Sequence, residues 1–137
     1  MSKLWQEDGK KLNLLVERFT VGDDYLLDTD LVPFDVDASI AHAQMLESVG
    51  LLNTEETYAL VAKLQEIKIL HIQGNFKVQL SQEDCHTAIE QYLTEKLGET
   101  GKKIHTGRSR NDQVAVAVGL YNKHHLQIVW TRIIILA

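Results

Sequence analysis

The apolar residues of this chain fall mostly at helical spacing. Val36, Ile40, Ala43 and Leu46 line one side of a segment beginning near Asp35, which reads as its N-cap, with Gly50 closing it. Asn53-Thr54-Glu55-Glu56 offers a capping residue followed by acids in the first turn, and Leu60, Val61, Leu64 and Ile67 form the stripe behind it. That helix runs to about His71 and ends at Gly74. Residues 76–80 alternate apolar and polar, which suits a short extended piece. Ser81-Gln82-Glu83-Asp84 then reads as the start of a helix carrying Ile89, Leu93 and Leu97, stopped by Gly98. Residues 111–137 read as one helix of roughly 40 Å at about 1.5 Å per residue. From Leu126 onward it is apolar on nearly every side, so it expects neighbours all round. The prediction is an all-α fold with short connections. The last helix breaks off at Ala137 without a cap, which is the expectation for the N-terminal piece of a longer protein.

Other segments are less regular. Residues 1–18 are amphipathic but loosely patterned, and Gly22-Asp23-Asp24 marks a turn. Asp23, Asp24, Asp28 and Asp30 crowd a short span; their spacing matches no calcium loop, and a solvated acidic surface is the simpler reading. Composition narrows the function class. A formal charge of −5 in 137 residues argues against a general nucleic-acid binder. The single cysteine, Cys85, excludes an internal disulfide framework and suits a reducing compartment. The opening Met-Ser-Lys-Leu-Trp is too short and polar for a signal peptide, and no run reaches the roughly 18 uninterrupted apolar residues of a membrane span. A cytoplasmic protein with no membrane partner is expected.

The chemistry concentrates in His105-Thr106-Gly107-Arg108-Ser109-Arg110-Asn111-Asp112-Gln113. These nine residues carry no large apolar side chain and feed directly into the longest helix. A helix N-terminus presents free N–H groups and the positive end of the dipole, and an Arg fork matches a carboxylate at two points. Anion binding is one reading. The other is structural, because Ser109 and Asp112 have the spacing of a capping box. The two are compatible. His86 lies beside the Ile89 stripe with Glu90 one turn on; a histidine there is ordinarily a hydrogen-bonded structural residue. His42, alone on its helix, carries little functional weight.

Taken in order along the whole chain, several motifs resemble those of argininosuccinate lyase, within the fumarase/aspartase superfamily. They are Leu4-Trp5, Arg18-Phe19, the spaced set Asp28, Leu31, Asp35, Ser39, Ala41 and His42, then Met45-Leu46-Glu47 and Gly50-Leu51-Leu52. Glu83-Asp84-Cys85-His86, Leu93-Thr94-Glu95-Lys96-Leu97-Gly98 and the signature from Lys103 to Gln113 complete the series.

The resemblance implies a small helical N-terminal domain, residues 1–108, followed by residues 109–137 as the first long helix of a truncated central bundle domain. It implies a homotetramer and a reversible β-elimination of argininosuccinate to arginine and fumarate, without metal or other cofactor. Matched position by position, Ser109, Arg110 and Asn111 fall on substrate-contacting positions, and Asp28 and His86 at or near the site. Asp24 stands where the family usually has Ser, and Ala38 where it usually has Gly. The family's catalytic His and Ser belong to later signatures, so no catalytic residue is expected within this chain, and the isolated piece is expected to be inactive. The competing expectation is a non-catalytic helical oligomerisation module derived from the same fold.

Overall fold

The computed structural model describes residues 14–137. The Leu4-Trp5 pair and the remainder of the first thirteen residues lie outside the described residues, as does the side chain of Arg18. Among the described residues there are seven α-helices and no strand: α1 Leu14–Val21, α2 Asp24–Leu27, α3 Val32–Ser48, α4 Thr54–Ile72, α5 Cys85–Leu97, α6 Glu99–Lys102 and α7 Arg110–Leu136. Short 3-10 turns occupy Asp28–Leu31, Leu80–Gln82 and Lys103–His105. The fold is all-α, as the periodicity predicts.

Helix α3 starts a turn earlier than its sequence suggests. Pro33 occupies its first turn, where a missing N–H costs nothing and the fixed φ already suits a helix. Asp35 is therefore no N-cap. It sits inside the helix on the face that carries Val32, Val36, Ser39, Ala43 and Leu46, all buried. That face packs on Leu60, Leu64 and Ile67 of α4. Helix α4 begins with a complete capping box. Asn53 accepts from the Glu56 N–H at 2.9 Å, and Glu56 accepts from the Asn53 N–H at 3.2 Å.

Helix α5 also starts elsewhere than expected. Leu80–Gln82 forms a 3-10 turn, and Asp84, not Ser81, caps the helix by accepting from the Thr87 N–H at 2.6 Å. Ala88, Ile89 and Leu93 enter the core beside Phe76 and Val78, the inward members of the alternating stretch. Gly101 then lets α6 cross the end of α5 at close range. A Cβ there would lie 2.2 Å from the Leu93 carbonyl oxygen, so no other residue fits without a backbone shift. Ile104 closes the core from this side. Lys103 donates to Glu56 at 2.5 Å, tying the segment before α7 to the start of α4.

The first half of α7 lies against α3, with Gln113 and Ala117 buried and the Tyr121 ring set edge-on to Phe34 at 5.5 Å. Its second half is exposed: Trp130 is 66% accessible and Leu136 89%. No described helix is long and apolar enough to cross a membrane.

Candidate functional site

Three helices converge on one buried carboxylate. Asp35 of α3, His86 of α5 and Gln113 of α7 are each no more than 1% exposed. His86 Nδ1 lies 2.9 Å from Asp35 Oδ2. Gln113 Nε2 donates to both carboxylate oxygens, at 3.1 and 2.9 Å. Ser39 Oγ donates to Oδ1 at a longer 3.4 Å and itself accepts from Arg108 Nη2 at 3.2 Å. An unpaired carboxylate this deep would cost several kcal/mol; here each oxygen has donors, which is what lets it stay.

The network continues outward through Gln113. Its Oε1 accepts from Arg110 Nη1 at 3.2 Å, while Arg110 Nη2 donates to Thr87 Oγ1 at 3.3 Å. Glu90 supplies the counter-charge, with Oε1 3.3 Å from Arg110 Nη1 and 3.0 Å from His105 Nδ1. Arg110 is thus gripped from behind by α5 and by its own helix. Arg108 is less well served: its Nε is buried with no partner among the described residues, and burial lowers its pKa against the pull of Asp35 and Glu90.

Gly107 takes φ +72°, a conformation L side chains rarely adopt, and so turns the chain from the 3-10 segment into α7. His42 Nε2 meets the Thr106 carbonyl oxygen at 2.9 Å across this turn. Burial, with Arg108 close by, lowers the His42 pKa, so the ring stays neutral and donates there. Ser109 forms the capping box that its spacing predicts, with Asp112 accepting from the Ser109 N–H at 2.9 Å. That bond holds the Asp112 carboxyl below its ordinary pKa. Asn111 is exposed at the rim, and its side chain makes no hydrogen bond among the described residues. The backbone N–H groups of Arg110 and Asn111 are likewise without partners there, as the first turn of a helix leaves them.

Of the five residues singled out in the sequence, Ser109, Arg110 and Asn111 share the start of α7, and His86 joins them through Asp35 and Gln113. Asp28 lies close to His86 and Cys85. Its carboxylate accepts from the Cys85 backbone N–H, yet burial still raises its pKa. Asp28, Cys85 and His86 each place one donor atom within 4.8 Å of the others. The Cys85 thiol is buried and pushed far up, and Asp35 already holds His86 Nδ1, so the trio reads as a desolvated corner of the same site. Asp24 is exposed in the first turn of α2. The sequence did not mark Asp35, Gln113, Glu90 or Arg108 as functional. There Asp35 reads as a helix cap, Arg108 and Gln113 only as members of the polar stretch before the last helix, and Glu90 only as a neighbour of His86.

Chemically, the arrangement is a fixed guanidinium, an open amide and two free backbone donors at the positive end of a 27-residue helix. It suits an anion with carboxylate geometry. Comparison with known proteins defines the class: residues 13–134 match the lyase family, and the chain belongs to it. Within that class it is similar to argininosuccinate lyases. It is 50% identical over 125 residues to that of Thermotoga neapolitana, covering 91% of this chain and 31% of the relative. Against the enzyme of Xanthomonas euvesicatoria it is 44% identical over 128 residues, covering 93% of this chain and 30% of the relative. Against that of Xylella fastidiosa it is 45% identical over 125 residues, covering 91% and 28%. The chain therefore spans between 28% and 31% of the length of these relatives.

Proposed function

We propose that this chain is the N-terminal part of an argininosuccinate lyase, a cytoplasmic enzyme of arginine biosynthesis. Residues 1–108 form its N-terminal helical domain and 109–137 the first long helix of its central bundle. The observation that supports the reading most is the pairing of a clamped Arg110 with an open Asn111 at the α7 N-terminus, in a chain whose relatives carry that name.

On this reading a base takes the proton beside a carboxylate of argininosuccinate. The electron pair spreads onto that carboxylate as an aci-anion, and the C–N bond breaks. An acid then protonates the departing guanidinium of arginine, leaving fumarate. Arg110, Asn111 and the open N–H groups of α7 hold the carboxylates and meet the charge as it grows. Ser109 sets the cap from which these donors project. His86, buried, and Asp28, half-buried, stand behind them as the wall of the site. The base and acid come from later segments of the full-length protein, and the site is completed across subunits of a homotetramer. No cofactor enters the scheme.

The experiment fuses this chain to the part of the Thermotoga neapolitana relative that follows its matched segment, and follows fumarate by its ultraviolet absorbance. Turnover of argininosuccinate by the fusion and none by the 137-residue chain alone is the expected pair of results. A chain that turns over alone at a rate comparable with the fusion contradicts the reading.

One observation favours a second reading. The apolar second half of α7 is exposed, as in a helical oligomerisation module without catalytic function. Light scattering separates the two: the module forms a discrete oligomer, whereas the lyase fragment associates heterogeneously.

A further inference from the structure

Gln113 carries no role in the chemistry described above, yet it is the one described side chain that touches both the buried pair and the substrate-facing guanidinium. It is 1% exposed. On one side it meets a carboxylate, to which Nε2 donates at 3.1 and 2.9 Å. On the other it meets a guanidinium, from which Oε1 accepts at 3.2 Å. A carboxylate demands a donor and a guanidinium demands an acceptor. A primary amide presents both on one planar group and carries no charge of its own. Glu would set a second carboxylate against Asp35. Met would fill the volume and satisfy neither neighbour. Asn keeps the amide but is one methylene too short to span the two.

We propose that Gln113 is a positioning residue for Arg110. It passes the rigidity of the buried Asp35–His86 pair to the guanidinium, so that Arg110 meets a substrate carboxylate in one orientation. Thr87 on α5 holds the Nη2 edge of the guanidinium, Glu90 meets the same Nη1 that donates to Gln113, and Gln113 sets the rotation relative to α7. The use made of that orientation rests on the lyase reading; the orientation itself does not.

The first test uses the 137-residue chain labelled at its arginine nitrogens, with the Arg110 signals assigned by their loss in Arg110→Lys. Restrained rotation of the guanidinium gives separate Nη resonances in the unsubstituted chain, and they merge in Gln113→Met. Should Gln113→Met lose its helical circular dichroism, Gln113→Asn takes its place with the same expected merging. Separate resonances surviving in a folded Gln113→Met or Gln113→Asn overturn the proposal.

The second test uses the fusion enzyme. Gln113→Met and Arg110→Ala each lower kcat/KM by about tenfold or more, and the double variant is no worse than Arg110→Ala alone. Losses that simply multiply contradict positioning through Arg110 and indicate a separate structural role. If the unsubstituted fusion releases no fumarate, the lyase reading fails, while the resonances still decide whether Gln113 orients Arg110.

Discussion

The two halves of α7 invert the usual relation between polarity and burial. The first half opens with Arg110, Asn111, Asp112 and Gln113, a polar run, and it is the anchored half: Gln113 is buried against α3, and Arg110 is held by α5. The second half, from Leu126 to Leu136, is strongly apolar and stands exposed. Apolar surface attracts any apolar neighbour, so it specifies proximity without orientation. The polar half is held by hydrogen bonds with fixed donors, acceptors and angles, and these set the rotation of the helix about its own axis. Within these residues, the precision of the candidate site comes from the polar half. The apolar half offers area to whatever packs on it.

Removing the centre of the polar anchor should do the most damage. Asp35→Ala leaves His86 and Gln113 buried without their acceptor, and breaking a buried charged network of this kind costs about 3–5 kcal/mol. Urea unfolding of the chain followed by circular dichroism should register it; a loss below about 1 kcal/mol would mean that the apolar contacts alone hold α7 in place.

Ser109→Ala should have a smaller effect, about 1 kcal/mol, because it removes one capping hydroxyl. Its pH dependence has a definite sign. The Asp112 partner has its pKa lowered by the fold, so its share of the cap is fully present above the ordinary carboxylate range and is lost as pH falls through the lowered value. The Ser109 hydroxyl donates to that carboxylate at 2.9 Å and Ser109→Ala removes the bond, so the stability gap between Ser109→Ala and the unsubstituted chain should narrow in acid. A gap that widens as pH falls would put the Asp112 bond outside the cap.

Trp130→Ala, in the apolar half, should change the stability of the 137-residue chain least, within about 0.5 kcal/mol, since the ring is two-thirds exposed. The same substitution in the fusion enzyme should cost more, because there the ring gains neighbours. Equal small effects in both settings would remove the difference between the halves.

Much of this arrangement is legible in the residues. The stripes of α4 and α5, the Asn53 cap, the Ser109 capping box and the extent of α7 follow from spacing and local chemistry, which act over three or four residues. Asp35 is different. Its type, before an apolar stripe, signals a helix cap, but Pro33 starts α3 earlier and turns Asp35 inward. What makes that burial tolerable lies 51 and 78 residues away, in His86 and Gln113, and no local rule connects them. Ser81 misleads for a related reason: the 3-10 turn at Leu80–Gln82 takes up the residues that would have begun the helix, and Asp84 caps α5 instead. The polar stretch from His105 to Gln113 stood out because it feeds a helix start, and the family resemblance singled out Arg110 and Asn111 within it. Gln113 and Glu90 were hidden because they act on Arg110 rather than on solvent.

The most direct measurement is fumarate release by the fusion enzyme carrying Arg110→Ala or Asn111→Ala. Each should lower kcat/KM for argininosuccinate by at least tenfold, about 1.4 kcal/mol of transition-state binding. Wild-type kinetics in both variants would show that the start of α7 does not hold the substrate.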